Sequence, residues 1–312
     1  MRFYPKIRAA ALTAVTVTAL VGGSLSAPAQ AEVDSGRFLN YSAPNGSMSS
    51  QYHVYADGID WAQPVGVVFY FDGDYWNSNK SNVYNPDSNT MQQMAQIANE
   101  KNMVFVPVIS PDKDSSGDGI TWWQNIGENG DFFRSFAQEF IADSGIDSSQ
   151  VWTMGYSGGA EFITNELNAS RSNSWRTGGG SIMVGGGGAE KRIEAPDSIK
   201  PIPMFWWVNC SDTDHKTNPP RWSAADAANQ GYKRYTDAGF DARKDGDCLP
   251  GQGHLDYDLP GLLRAVIGTA VAALTCCFMP LEASLPSVIN MQRAVLFLTH
   301  AAFLFQRLLT RP

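Results

Sequence analysis

Positive charge is in short supply. The 312-residue chain carries 23 Lys and Arg against 31 Asp and Glu, a net charge of −8. It therefore lacks the basic face that releases counterions from phosphates, and a nucleic-acid partner is not expected. Cysteine is scarcer still, at four residues, too few for a miniature held together by disulfides. Charged residues make up only 17% of the chain and hydrophobic ones 43%, which excludes a disordered polymer and fits a packed core of one large domain or two small ones. Nucleotide and metal motifs are missing too. There is no GK[ST] phosphate loop and no GxGxxG dinucleotide turn, and neither HExxH nor a Cys-His zinc cluster occurs. We expect no cofactor and no metal.

What is present falls into three zones. Residues 1–31 hold Arg2, Lys6 and Arg8 and no acid, then an apolar run over 9–20, then Ala29-Gln30-Ala31. A basic start, a short apolar stretch and a small-x-small site predict a secretory signal peptide, and hence a secreted protein, extracellular or in the cell envelope. Residues 265–312 carry three arginines and one acid, Glu282, with no charge over the 17 residues 265–281. We divide them between a closing helix that runs to about 274 and a hydrophobic tail, 275–312. Membrane contact, an interaction role and a reading-frame change are all open for that tail. Between the ends, residues 32–264 hold 17 cations and 30 acids. This zone predicts one soluble acidic domain, 32–274, working in an oxidising compartment where Cys210 and Cys248 are disulfide candidates.

Within that domain the residue pattern alternates. Residues 65–71, 103–109, 151–154, 181–184 and 204–208 are short apolar runs rich in β-branched and aromatic side chains, as buried strands are. An N-terminal strand spans 51–55. Residues 89–99, 132–141, 160–167 and a segment opened by Asp258-Leu259-Pro260 read as helices. Strands alternating with helices predict an α/β class, a mostly parallel sheet with helices on both faces, whose chemistry lies beyond the carboxyl ends of the strands.

At the end of the third buried strand stands Gly155-Tyr156-Ser157-Gly158-Gly159, a GxSxG between strand and helix. Glycines there permit a tight turn that exposes a strained serine hydroxyl above the sheet, which makes Ser157 a candidate nucleophile. With this elbow and its flanks, residues 65–267 resemble the α/β-hydrolase superfamily, and more narrowly the secreted bacterial esterases of the polyhydroxybutyrate-depolymerase and feruloyl-esterase type. The resemblance implies the chain order nucleophile, acid, histidine. Of four histidines, His53 precedes the serine and His300 lies in the tail. His254, in a glycine-rich loop just before a helix, stands where the family has its catalytic histidine, with His215 as the alternative. The acid is expected after the strand 204–208. Asn209 to Asp212 keeps the family's glycine-x-x-aspartate spacing with asparagine, which tolerates left-handed turns, in place of glycine. Asp212 is preferred, with Asp214 the alternative. If the triad exists, the acid and histidine loops are neighbours, and a Cys210–Cys248 disulfide would brace them.

Backbone donors for an oxyanion are expected at Gly158 and, from the loop after the first central strand, at Asp74. Relatives often carry His-Gly in that loop. Asp72-Gly73-Asp74 is a departure, and the Asp74 carboxylate would oppose an oxyanion unless it points away or is paired. Tyr75, Tyr156, Trp122 and Trp123 are placed to contact substrate, with core packing an equal reading for the two tryptophans. Residues 112–119 begin like a calcium loop, but the twelfth position is Trp123 rather than glutamate. A solvated acidic loop is expected. The resemblance implies a serine hydrolase acting on small-molecule or polymeric esters. The alternative is a non-catalytic extracellular binding protein of the same fold, holding polysaccharide or lipid on surface tryptophans.

Overall fold

The structure, a computed structural model, describes residues 32–44, 48–113, 119–213, 222–244, 248–250 and 253–277, with side chains as far as 268. The leader 1–31, Asp214 and His215, most of the acidic loop (114–118) and the tail beyond 277 lie outside the described residues.

Among the described residues there are eight strands: β1 (Gly36–Ser42), β2 (Ser49–Val54), β3 (Gly66–Phe71), β4 (Met103–Val108), β5 (Val151–Tyr156), β6 (Gly180–Val184), β7 (Met204–Trp207) and β8 (Ala242–Lys244). They form one sheet in the order β1-β2-β4-β3-β5-β6-β7-β8. β2 runs antiparallel to β1 and β4, and every pairing from β4 to β8 is parallel. The helices are α1 (Asn89–Asn99), α2 (Ile126–Asp143), α3 (Gly158–Phe162), α4 (Ala224–Asp237) and α5 (Leu259–Cys277).

Side chains alternate across a strand, so the unbroken apolar run of β3 serves two cores at once. Val67, Phe69 and Phe71 pack with Phe132, Phe133 and Phe136 of α2 and Phe162 of α3, while Val68 and Tyr70 face Met91 and Met94 of α1 and Leu262, Leu263 and Val266 of α5. Fully burying one such aromatic or aliphatic side chain contributes ~1.5–3 kcal/mol. β3 and β5, covered on both faces, are therefore a firm base for whatever stands at their carboxyl ends.

Local signals set the helix starts. The Ser88 Oγ accepts from the Met91 N–H at the head of α1, and the Ser223 Oγ does the same for Asp226 at the head of α4. At α5 the Asp258 carboxylate accepts from the Gly261 N–H at 3.0 Å, and Pro260 occupies the first turn, where its missing N–H costs nothing.

Four elements differ from the sequence expectation. β1, β8 and α4 were not foreseen, and α2 begins at Ile126 rather than 132. β8 has only three residues and no buried side chain, so it carries no apolar signal. The opening turn of α2, Ile-Gly-Glu-Asn-Gly-Asp, has no apolar period to read. Among the described residues, no helix is long and apolar enough to cross a membrane.

Candidate active site

Ser157 sits between β5 and α3 with φ 51° and ψ −117°, a backbone conformation that costs a non-glycine residue energy and persists because its surroundings fix it. Its N–H bonds Val184 O on β6 at 2.9 Å, while its carbonyl accepts from Ala160 at 2.9 Å and Glu161 at 3.1 Å, so both sides of the turn are held. Gly159 is required by close approach: a Cβ there would lie 2.2 Å from the Phe71 carbonyl oxygen at the end of β3. The serine itself stays half-exposed.

Its hydroxyl lies 2.9 Å from His254 Nε2, and His254 Nδ1 lies 2.8 Å from Asp212 Oδ2. A carboxylate only accepts, so Nδ1 carries the proton and Nε2 is left to accept from the serine, the tautomer that a general base needs. Asp212 is 2% exposed and His254 half-buried.

Backbone pairing brings the acid and histidine loops together. Cys210 N–H bonds Leu249 O and Leu249 N–H bonds Val208 O, both at 2.8 Å, so a short parallel ladder continues beyond β7. Cys210 and Cys248 are joined across it by a disulfide, with Cα atoms 5.0 Å apart. Asn209 adds a side-chain bond from Nδ2 to Gly253 O at 3.0 Å. Among the described residues the non-glycine positive-φ positions are Phe38, Asn102 and Ser157. Asn209 does not replace glycine in a left-handed turn; its amide ties the acid bend to the histidine loop.

The loop after β3 lies over Ser157, since a Cβ on Gly73 would sit 3.2 Å from Ser157 Cβ. The Gly73 N–H is taken by Asp72 Oδ1 at 3.0 Å, which leaves the Asp74 N–H as this loop's next donor. Gly158 opens α3, where the first N–H groups have no partner within the helix. Asp72 itself is fully buried. It accepts from Tyr70 Oη at 2.8 Å, Asn82 N at 2.5 Å and Val83 N at 3.3 Å, anchoring the loop, while burial raises its carboxyl above the usual range.

Asp74 is exposed as a residue, yet its carboxyl turns inward. It accepts from the Trp122 N–H at 2.9 Å and the Thr121 hydroxyl at 3.1 Å, and it lies so close to Gly158 that a Cβ there would be 2.3 Å from its Oδ1. Loss of water pushes this carboxyl up to about 6, against the pull of those two donors. The departure from His-Gly is thus accommodated by pairing the carboxylate.

The predicted substrate contacts separate. Trp122 is 1% exposed, stacked on Phe162 with centroids 4.5 Å apart and edge-on to Phe71. It is a core residue and cannot meet substrate. Trp123, next in sequence, is half-exposed. Tyr75 is half-buried and pairs its backbone with Ile120. Tyr156 is 5% exposed; its ring stacks on the His254 imidazole at 5.3 Å and its hydroxyl donates to the His254 carbonyl at 2.5 Å, so it braces the histidine.

Three residues escaped sequence reasoning. Tyr257 donates to Asp212 Oδ2 at 2.7 Å, Trp222 sets its ring edge-on to His254 at 5.6 Å, and the exposed Leu255 adjoins the histidine. Tyr257, three residues after the histidine, was the most findable. His53 is buried beside β1 and has no part in the site: its Nδ1 accepts from Phe38 N–H and its Nε2 donates to Val83 O. Asp112, at the start of the acidic loop, accepts from Asn125 N and Nδ2, both at 2.8 Å, and so anchors the residue that precedes α2. Among the described residues no cluster of three or more His, Cys, Asp or Glu is arranged to hold a metal ion.

No family model matches the chain, and no curated protein matches its sequence. Solved structures do match in shape. A Bacillus cereus carboxylesterase aligns with a TM-score of 0.51 at 13% identity, covering 73% of this chain and 96% of that one. A poly(aspartic acid) hydrolase from Sphingomonas sp. KT-1 aligns with a TM-score of 0.50 at 12% identity, covering 75% and 97%. A poly(3-hydroxybutyrate) depolymerase from Bordetella parapertussis aligns at 0.49 and 14%, covering 84% and 94%. With its mostly parallel eight-stranded sheet and the strained serine after β5, the chain adopts the α/β-hydrolase fold.

Proposed function

We propose that this protein is an exported serine hydrolase that cleaves carboxylic esters through Ser157, His254 and Asp212. The observation that carries the reading is the unbroken hydrogen-bond chain from Ser157 Oγ through both imidazole nitrogens to Asp212, mounted on a strained strand-to-helix turn. As Oγ attacks the ester carbonyl, His254 Nε2 takes the serine proton and Asp212 stabilises the imidazolium. The Gly158 and Asp74 N–H groups receive the oxyanion. Collapse of the tetrahedral species expels the alcohol, protonated by His254, and leaves an acyl group on Ser157. A water deprotonated by His254 then attacks this ester, releasing the acid and restoring the serine. Substrates, small or polymeric, reach a half-exposed serine, and the partly exposed Trp123 and Tyr75 and the exposed Leu255, next to His254 in sequence, are the candidate contacts. The disulfide and the leader-like first 31 residues support export.

Purified protein should hydrolyse short p-nitrophenyl esters, and Ser157→Ala should lower kcat by ~10⁴-fold or more. Inertness of the folded protein towards all such esters would favour the second reading, a binding protein of this fold. The Asp74 carboxylate lying against Gly158 is the observation in that reading's favour.

A further inference from the structure

We propose that Tyr257 is a positioning residue for the triad, a fourth member that orients Asp212 and sets how strongly it holds His254; this rests on the triad reading above. The direction of its hydrogen bonding is fixed. The Asn209 N–H donates to the Tyr257 hydroxyl oxygen at 3.0 Å, so the phenolic proton must point along the 2.7 Å contact to Asp212 Oδ2. That is the same oxygen that accepts from His254 Nδ1. Burial, the first cause, and the adjoining carboxylate raise the phenol well above its ordinary range, so it stays a donor at every working pH.

The hydroxyl is also held in place by its ring. A Cβ on Gly185, which follows β6 with φ 60°, would lie 2.8 Å from Tyr257 Cε2, so only glycine leaves room for the phenol. Tyr156 and His254 flank the ring at 5.9 and 6.4 Å. The phenol thus links the backbone after β7, the glycine after β6 and the catalytic dyad.

Two effects follow. A second donor on Oδ2 fixes the carboxylate plane for Nδ1, and it draws charge away from that oxygen, making it a weaker partner for the imidazolium. The other described titratable groups facing the dyad are Tyr156 from β5, Asp256 from the histidine loop, Asp72 beyond β3, and Glu161 of α3 across Gly186 and Trp222. All of them are unchanged by substitution at 257.

The test is Tyr257→Phe, which keeps the ring. Per active site titrated with a fluorophosphonate, kcat should fall about tenfold with KM unchanged. The acid limb of kcat/KM should move up by roughly half a unit as Asp212 regains charge. Site-specific Tyr257→3-fluorotyrosine, a stronger donor, should move the limb the other way, and it serves if the phenylalanine variant does not fold. Wild-type kcat and an unmoved limb in either variant would overturn the proposal. Wild-type protein that neither hydrolyses esters nor takes the label would instead overturn the triad reading itself.

Discussion

Cys210 and Cys248 enclose a span of 38 residues, and closing a loop of that length in the unfolded chain removes entropy worth about 4 kcal/mol at 25 °C. In a domain of this size each kcal/mol moves Tm by ~2–4 °C, so Cys210→Ser with Cys248→Ser should melt about 8–16 °C lower. The folded geometry should survive, because the Cys210–Leu249 and Leu249–Val208 backbone bonds and the Asn209–Gly253 amide bond do not need the sulfurs. Thermal unfolding of the oxidised wild type and the double-serine variant, with ester turnover at 25 °C, checks both statements. A Tm change under about 2 °C would refute the loop-entropy argument. Loss of turnover in a variant that still unfolds cooperatively would refute the claim that the backbone ladder and the Asn209 amide hold the acid and histidine loops in register without the sulfurs.

Two further predictions concern burial. Trp122→Ala should destabilise by ~3–5 kcal/mol in urea unfolding, because it empties a site stacked against Phe162; Trp76→Ala, at a position 76% exposed, should stay within ~0.5 kcal/mol. Equal effects would contradict the core assignment. Glu161 is 6% exposed and accepts from the Gly187 and Gly188 N–H groups, both at 2.9 Å, and burial pushes its carboxyl up from 4.5 to about 7. The unfolded chain then ionises first, so the stability that protonated Glu161 provides is complete below the unfolded value and is lost as pH rises through about 7. Between pH 5 and 8, wild type should lose about 2.5 kcal/mol relative to Glu161→Gln. A flat or opposite difference in urea unfolding would remove this reading of the buried acid.

The readable parts of the sequence were those where one signal dominated. β3, β4 and β5 are buried on both faces and so appear as apolar runs, and Gly155 and Gly159 on either side of Ser157 are required by backbone contacts that leave no room for a side chain. The order of serine, acid and histidine that the family resemblance implies pointed to Asp212 and His254, which the fold brings into hydrogen-bond contact. Elements whose residues answer to tertiary partners were hidden. β8 is an edge strand defined by pairing with β7, and α4 is a small-residue helix whose buried positions are Ala224, Ala228, Gly231 and Tyr235. Trp122 and Trp123 are adjacent and chemically identical, and only the turn set by the Thr121 hydroxyl and the Asp74 carboxylate sends one inward. The role of Tyr257, though it stands three residues after the histidine, was hidden for a similar reason: its partners Asn209 and Asp212 are more than 40 residues away in sequence.

Covalent labelling of the folded protein with a fluorophosphonate, followed by peptide mass spectrometry, tests the central claim most directly. The account predicts a single adduct on Ser157, formed in wild type and in Trp76→Ala and abolished or greatly slowed in His254→Ala. An unlabelled folded protein, or an adduct on another serine, would contradict it.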